Sequence, residues 1–240
     1  MPPLHTQFFP LPSLRLAYRE HGSGPPLLLL HGNSGSKAAF HKYQTDFFPD
    51  FHTFALDSRG HGQSVSQDAR LEYCQLAQDV IDFTEALSLA PCAVVGYSDG
   101  GILALFLAHL RPELFSRLVA ISPNYLVSGT EESDLRLLQR IYRLMGALSR
   151  LGLPLKKNLV RWELMLRDCG LTPADLGAIH ADLLILHAEK DVIKEEHIRE
   201  IARLVPGAGL QQIPACTHLN ILNQPATVAA IRSYLTAANL

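Results

Sequence analysis

The chain predicts an α/β fold built on a mostly parallel sheet. Three observations carry that expectation. Short apolar runs of strand length alternate with longer segments of helical period along most of the 240 residues. The later runs are apolar throughout instead of alternating, the pattern of parallel strands buried on both faces. One run, from Ala93, stops at Gly96-Tyr97-Ser98-Asp99-Gly100-Gly101 and gives way to an apolar helical stretch, a strand, turn and helix in close succession.

Eight candidate strands follow in order. Segments 4–9 and 14–18 can form a hairpin at the sheet edge. Segments 27–30, 53–56, 93–95, 118–121, 183–187 and 210–213 supply the buried strands. Helical segments are expected at 73–87, 102–110, 195–204 and 225–237. The alternation breaks between 127 and 177, which holds no convincing strand. There 131–151 has helical periodicity, with Leu138, Ile141, Met145 and Leu148 on one face and Arg136, Arg140 and Arg143 largely on another. Trp162, Leu164, Met165 and Leu166 mark a second short helix. This stretch reads as a helical lid inserted after the sixth strand, dividing the core into 1–126 and 178–240. Its apolar stripe reads as packing onto the main domain, with a membrane-surface helix kept as the alternative because one face is basic.

Composition narrows the classes. A formal net charge of −2 gives no footing for a nucleic-acid partner. Cys74, Cys92, Cys169 and Cys216 are scattered without a C-x-x-C pair, so a reduced, intracellular chain without a metal site is expected. The start Met1-Pro2-Pro3-Leu4-His5 lacks a basic region followed by a long apolar one, and 27–30 is far too short to span a bilayer. A soluble, cytoplasmic protein without stable membrane association is expected. Oligomeric state is not legible.

The chemistry starts at Ser98. G-x-S-x-G between strand and helix sets a serine on a tight turn with its hydroxyl exposed. A serine hydroxyl needs a base to take its proton, normally a histidine oriented by a carboxylate. In this arrangement the acid and then the histidine follow the serine in the chain. Asp191 lies just past the run 183–187, with Glu189 as the alternative acid, and His218 follows the run 210–213. Ser98, Asp191 and His218 are therefore the expected catalytic set. An oxyanion needs preorganised donors. The backbone N–H groups of Asn33, in the polar loop after 27–30, and of Asp99 are the candidates. The segment Asp57-Ser58-Arg59-Gly60-His61-Gly62-Gln63-Ser64 lacks a P-loop pattern and reads as a hydrogen-bonded turn buttressing the site. His61 precedes the serine and is not assigned as the base.

These pieces together, His31-Gly32-Asn33, the 57–64 turn, the 96–101 elbow, Asp191 and His218, resemble the α/β-hydrolase superfamily along almost the full chain. The elbow is similar to that of small valacyclovir hydrolase-like α-amino-acid ester hydrolases, with Gly-aromatic-Ser-Asp-Gly-Gly. The resemblance implies a serine hydrolase that cleaves a small carboxylic ester through an acyl-enzyme, with no metal or organic cofactor and a small molecule as partner. C–C bond hydrolysis of a diketone and a catalytically weak ligand-binding role are the alternatives. Asp99 stands where such elbows commonly carry an apolar residue. It can pair with a substrate cation such as a free α-amino group, or cap the helix or bond a nearby loop. Tyr125, Leu138, Trp162 and Met165 are candidate lining residues, with lid packing as the competing reading for each.

Overall fold

A computed structural model describes residues 4–237. Met1, Pro2 and Pro3, part of the N-terminal stretch read above for a leader, and the last three residues of the 178–240 segment lie outside the described residues. Eight strands form one sheet in the order β1-β2-β4-β3-β5-β6-β7-β8. They are β1 Gln7–Pro10, β2 Arg15–His21, β3 Pro26–Leu30, β4 His52–Leu56, β5 Cys92–Tyr97, β6 Phe115–Ile121, β7 Leu183–Lys190 and β8 Gly209–Thr217. The β1–β2 and β2–β4 pairs are antiparallel and all others are parallel. The expected edge hairpin is present, although its first strand starts at Gln7, three residues later than 4–9 suggested.

The unbroken apolar runs have a two-sided explanation. Successive residues of a strand point to opposite faces. Leu28 and Leu30 of β3 enter a core with α1 (Tyr73–Ala86) and α2 (Asp99–Leu110), while Leu27 and Leu29 enter a second core with Phe40, Tyr43 and Phe48. Late in the chain, α6 (Glu195–Leu204) sends Ile198 and Ile201 into the first core and α7 (Pro225–Thr236) sends Ile231 into the second. With helical cover on both faces, the inner strands need no polar row, whereas the edge strand β8 keeps exposed glutamines.

Between β6 and β7 lie α3 (Glu132–Arg150), α4 (Lys156–Leu164) and α5 (Pro173–Gly177). The strand-free reading of this stretch matches, apart from an isolated antiparallel bridge between Thr130 and Ile193. A capping box at Thr172, whose hydroxyl accepts from the Asp175 N–H while Asp175 accepts from the Thr172 N–H, starts α5. Among the described residues no helix is long and apolar enough to cross a membrane.

Three boundaries differ from expectation for one reason, that backbone pairing continues past the apolar run. Helix α2 begins at Asp99 and not at 102, because the two glycines after it sit inside the first turn. Strand β7 runs to Lys190, so Asp191 is the first residue beyond the sheet. Strand β8 runs to Thr217 with a bulge: Ala188 pairs with Ile213 but Lys190 with Thr217, leaving Pro214, Ala215 and Cys216 opposite Glu189. His218 follows at once.

Candidate active site

Ser98 makes the whole turn between β5 and α2, with φ +53° and ψ −115°. A non-glycine residue with positive φ is strained and persists only where its surroundings hold it. Here the Ser98 N–H donates to the Ile121 carbonyl at 2.8 Å, and its own carbonyl accepts from the Ile102 N–H at 3.0 Å. The flanking glycines are required sterically. A β-carbon on Gly96 would fall onto the Gly100 carbonyl, and one on Gly100 onto the carbonyl of Leu30.

Three strand ends converge on this turn. His218 Nε2 lies 3.1 Å from Ser98 Oγ, and His218 Nδ1 lies 2.7 Å from Asp191 Oδ1. With the ring proton on the Asp191 side, Nε2 is free to accept from the serine hydroxyl. The Asp191 carboxylate is buried and also accepts from the Ser122 hydroxyl, the Ala188 N–H at 3.0 Å and the Ile193 N–H at 3.2 Å. Burial alone would push this carboxyl up. The bonds from His218, Ser122 and Ala188 outweigh it and hold the group below the usual aspartate value. Glu189, the alternative acid, is occupied elsewhere: it accepts from the Ala215 N–H at 2.6 Å.

Asp99 is buried beside the serine. Its Oδ2 accepts from Asn33 Nδ2 at 2.9 Å and its Oδ1 from the Tyr73 hydroxyl at 3.1 Å. The carboxylate therefore ties the elbow to the loop after β3 and to α1, and it does not cap α2. Burial raises its pKa against the lowering effect of the Asn33 and Tyr73 bonds. Gly32 packs so closely that a β-carbon there would stand 3.0 Å from the Ser98 β-carbon. The backbone N–H groups of Asn33 and Asp99 donate to no acceptor among the described residues.

The 57–64 turn buttresses this loop. Asp57 accepts from the Lys37 N–H at 2.7 Å and the Gln63 N–H at 2.8 Å, and pairs with the Lys37 ammonium at 2.5 Å. Arg59 holds Asp79 through two nitrogens, at 2.8 and 2.6 Å. His31 Nδ1 bonds the Gly32 carbonyl at 2.7 Å while its Nε2 accepts from the Ser58 N–H at 3.0 Å, joining turn and loop. His61 is buried against His31, not against Ser98, and burial pushes its pKa down to about 4.

A cavity of about 280 Å³ opens at Ser98 between the sheet and the helical insertion. Leu138 and Met165 line it together with Leu137, Ile141 and Leu164. Tyr125 and Trp162 do not. Tyr125 is buried behind the wall, stacked on His197 at 4.8 Å with its hydroxyl donating to Glu200 at 2.7 Å, and the pocket is lined instead by its neighbour Asn124. Trp162, half-buried on α4, is absent from the wall, which this helix and its C-cap supply through Leu164 and Met165. A larger hollow of about 700 Å³, on the side of α4 carrying Leu159 and Val160, contains none of Ser98, Asp191 and His218.

Three further side chains shape the site, none of which received a role from sequence. Tyr97 donates to the His218 carbonyl at 2.8 Å and lays its ring 5.2 Å from the imidazole. Ser122, at φ +50°, orients Asp191, and Tyr73 holds Asp99. A small polar residue directly after the apolar run 118–121 is the only local signal for Ser122. Tyr73 has none, because its role exists only once α1 is packed.

The fold and this geometry define an α/β enzyme scaffold with a serine, a histidine and an acid at its carboxyl edge. Residues 25–150 match the alpha/beta hydrolase fold family, and the chain belongs to it as an alpha/beta hydrolase. An uncharacterized protein of Mycobacterium tuberculosis is 32% identical over 152 residues, 62% of this chain and 43% of that protein. The (E)-2-((N-methylformamido)methylene)succinate hydrolase of Acinetobacter baylyi is 30% identical over 45% of this chain and 41% of its own length. The chain thus spans less than half the length of either relative. Among solved structures, the carboxylesterase CesB of Bacillus subtilis superposes with a TM-score of 0.78 at 20% identity, covering 99% of this chain and 93% of that one, a likeness of fold alone.

Proposed function

We propose that the chain is a serine hydrolase that cleaves a small carboxylic ester through an acyl-enzyme. The observation that carries this reading is the continuous line from Ser98 Oγ through the His218 ring to the buried Asp191 carboxylate. Ser98 attacks the ester carbonyl as His218 takes its proton. The N–H groups of Asn33 and Asp99 receive the oxyanion, and Asp191 stabilises the imidazolium. His218 then protonates the leaving alcohol. Water, activated by the same histidine, releases the acid. The helical insertion serves as the lid, with Leu138 and Met165 shaping the acyl or alcohol pocket. A fluorophosphonate probe tests the mechanism directly: stoichiometric labelling at Ser98, lost in Ser98→Ala, is expected, and an unlabelled wild-type serine would overturn it.

Within that class we infer a preference for aminoacyl esters. Asp99 lines the pocket as a buried carboxylate whose oxygens meet only neutral donors, Asn33 and Tyr73. Each oxygen can accept a further bond, and a substrate ammonium would favour the charged form that burial disfavours. Free aminoacyl esters should exceed their N-acylated counterparts by about tenfold or more in kcat/KM, and Asp99→Asn should erase the difference. Equal rates for both substrates in the wild type would sink the preference while leaving the esterase reading intact.

A further inference from the structure

Helix α3 is unusual for a helix next to a ligand pocket, since none of its nineteen residues is buried. Its inner face covers the cavity through Leu138 and Ile141. Beside that face runs a second apolar row, which starts at the cavity wall with Leu137 and leaves the pocket behind at Leu144 and Leu151. Leu137, Leu144 and Leu151, seven residues apart, are 54%, 59% and 79% exposed. A seven-residue step turns an α-helix by only about 20° off a straight line, so the three leucines form one stripe along the helix. Leu153, in the turn after the helix, is 44% exposed, and Leu219, also at the cavity, is 88% exposed. An isolated exposed leucine needs no explanation, but an aligned row at the rim of a pocket does.

The charge next to this row is one-sided. Residues 135–157 contain Arg136, Arg140, Arg143, Arg150, Lys156 and Lys157 and no aspartate or glutamate. At 100° per residue Arg140 lies about 60° from Leu137, with Arg136 and Arg143 just beyond it, so an arginine ridge flanks the leucine stripe. Arg136 pairs with Glu132 at 3.1 Å; among the described residues the other five cations form no ion pair and all are exposed.

We propose that this segment is a docking surface for an anionic lipid bilayer. Leu144, Leu151 and Leu153 enter the acyl boundary, the arginine ridge lies at headgroup level, and the cavity mouth faces the membrane surface. The charge decides the occupant. An apolar row by itself could receive a second copy of the chain, but a second copy brings the same acid-free segment and leaves the five unpaired cations without a counter-charge. A plane of anionic headgroups complements all of them at once. Contact of this kind is reversible and salt-sensitive, because it joins modest apolar burial to screened charge attraction. It holds whether or not Ser98 performs the chemistry proposed above.

Sedimentation of the full chain with unilamellar vesicles tests it. The protein should pellet with phosphatidylcholine vesicles containing one third phosphatidylglycerol, much less with pure phosphatidylcholine, and should be released by high salt. The double variants Leu144→Asp/Leu151→Asp and Arg140→Glu/Arg143→Glu, none of whose positions lines the cavity, should each lower the partition coefficient by about tenfold or more. Ser98→Ala should bind like the wild type. Far-UV circular dichroism and thermal midpoint confirm that each variant is folded. Absence of binding to either vesicle, equal binding to both, or folded variants that bind unchanged would overturn the proposal. So would a concentration-dependent dimer in analytical ultracentrifugation that the leucine variant abolishes, which would assign the stripe to a second copy.

Discussion

Helices α2 and α3 are built to opposite rules. Ten of the twelve residues of α2 are buried, whereas none of the nineteen in α3 is. Helix α2 lies against β5 and β6 with apolar residues all round, and its first turn carries the strained Ser98 into position. Helix α3 is amphipathic, covers the cavity with one side and leaves leucines and arginines exposed on the other. The difference teaches where precision comes from in this molecule. Ser98 and Asp191 follow strands buried along most of their length, His218 follows the more exposed edge strand β8, and the surface that meets ligand or partner stands on an element held by one face.

The contrast can be broken or sharpened by substitution. The largest effect belongs at the turn: Ser98→Ala should lower kcat by between about 10⁴ and 10⁶-fold with folding unchanged, measured on a small activated ester. Next comes Gly100→Ala. Its new β-carbon meets the Leu30 backbone, so chemical denaturation should show a loss of more than about 3 kcal/mol or no folded protein. Leu103→Ala, at a fully buried position of α2, should cost about 2 to 5 kcal/mol, against less than about 0.5 kcal/mol for Leu144→Ala in α3. Equal costs would erase the distinction between the helices.

Acid should act on the buried side of the molecule. The pKa of His61 falls from 6.5 to about 4 on folding. Between those values the unfolded chain binds the extra proton, so stability is present above pH 6.5 and is lost as pH falls through the window, by about 3 kcal/mol in all. Asp191, held low, adds a loss of the same sign as pH falls through its depressed folded value. His61→Asn should flatten the upper part of this acid limb in denaturation curves taken at several pH values. A small gain instead of a loss is expected in α3, where Gly146 has open space around its missing β-carbon. Gly146→Ala should stabilise the protein by about 0.5 to 1 kcal/mol without changing ester hydrolysis. A loss instead would mean that α3 is packed more tightly than its exposure implies.

The sheet was legible because β-strands buried on both faces must be apolar throughout, and seven of the eight expected segments match their strands to within four residues at each end. The first, 4–9, overlaps β1 only over its second half. The acid position was legible only as a pair. Glu189 and Asp191 both follow the same apolar run, and the bulge in β8 separates them by giving Glu189 a backbone N–H to bind at Ala215. The lining residues divided likewise. Leu138 was legible from the periodicity of 131–151, but a hydrophobic face does not state what it faces, so Tyr125 and Trp162 looked equivalent to it and are not.

The sequence by itself determined what is local in this protein: the alternation of strands and helices, the glycine-flanked turn at Ser98 and the order in which serine, acid and histidine leave the sheet. Periodicity, steric freedom at glycine and chain order are properties of neighbouring residues, so they can be read from neighbours. Tertiary structure decided everything that requires distant side chains to meet. Ser98 and His218 are 120 positions apart, Asn33 and Asp99 66, and Ser122 and Asp191 69. Hydrogen bonds at about 3 Å depend on how whole elements pack, and no local pattern encodes that packing.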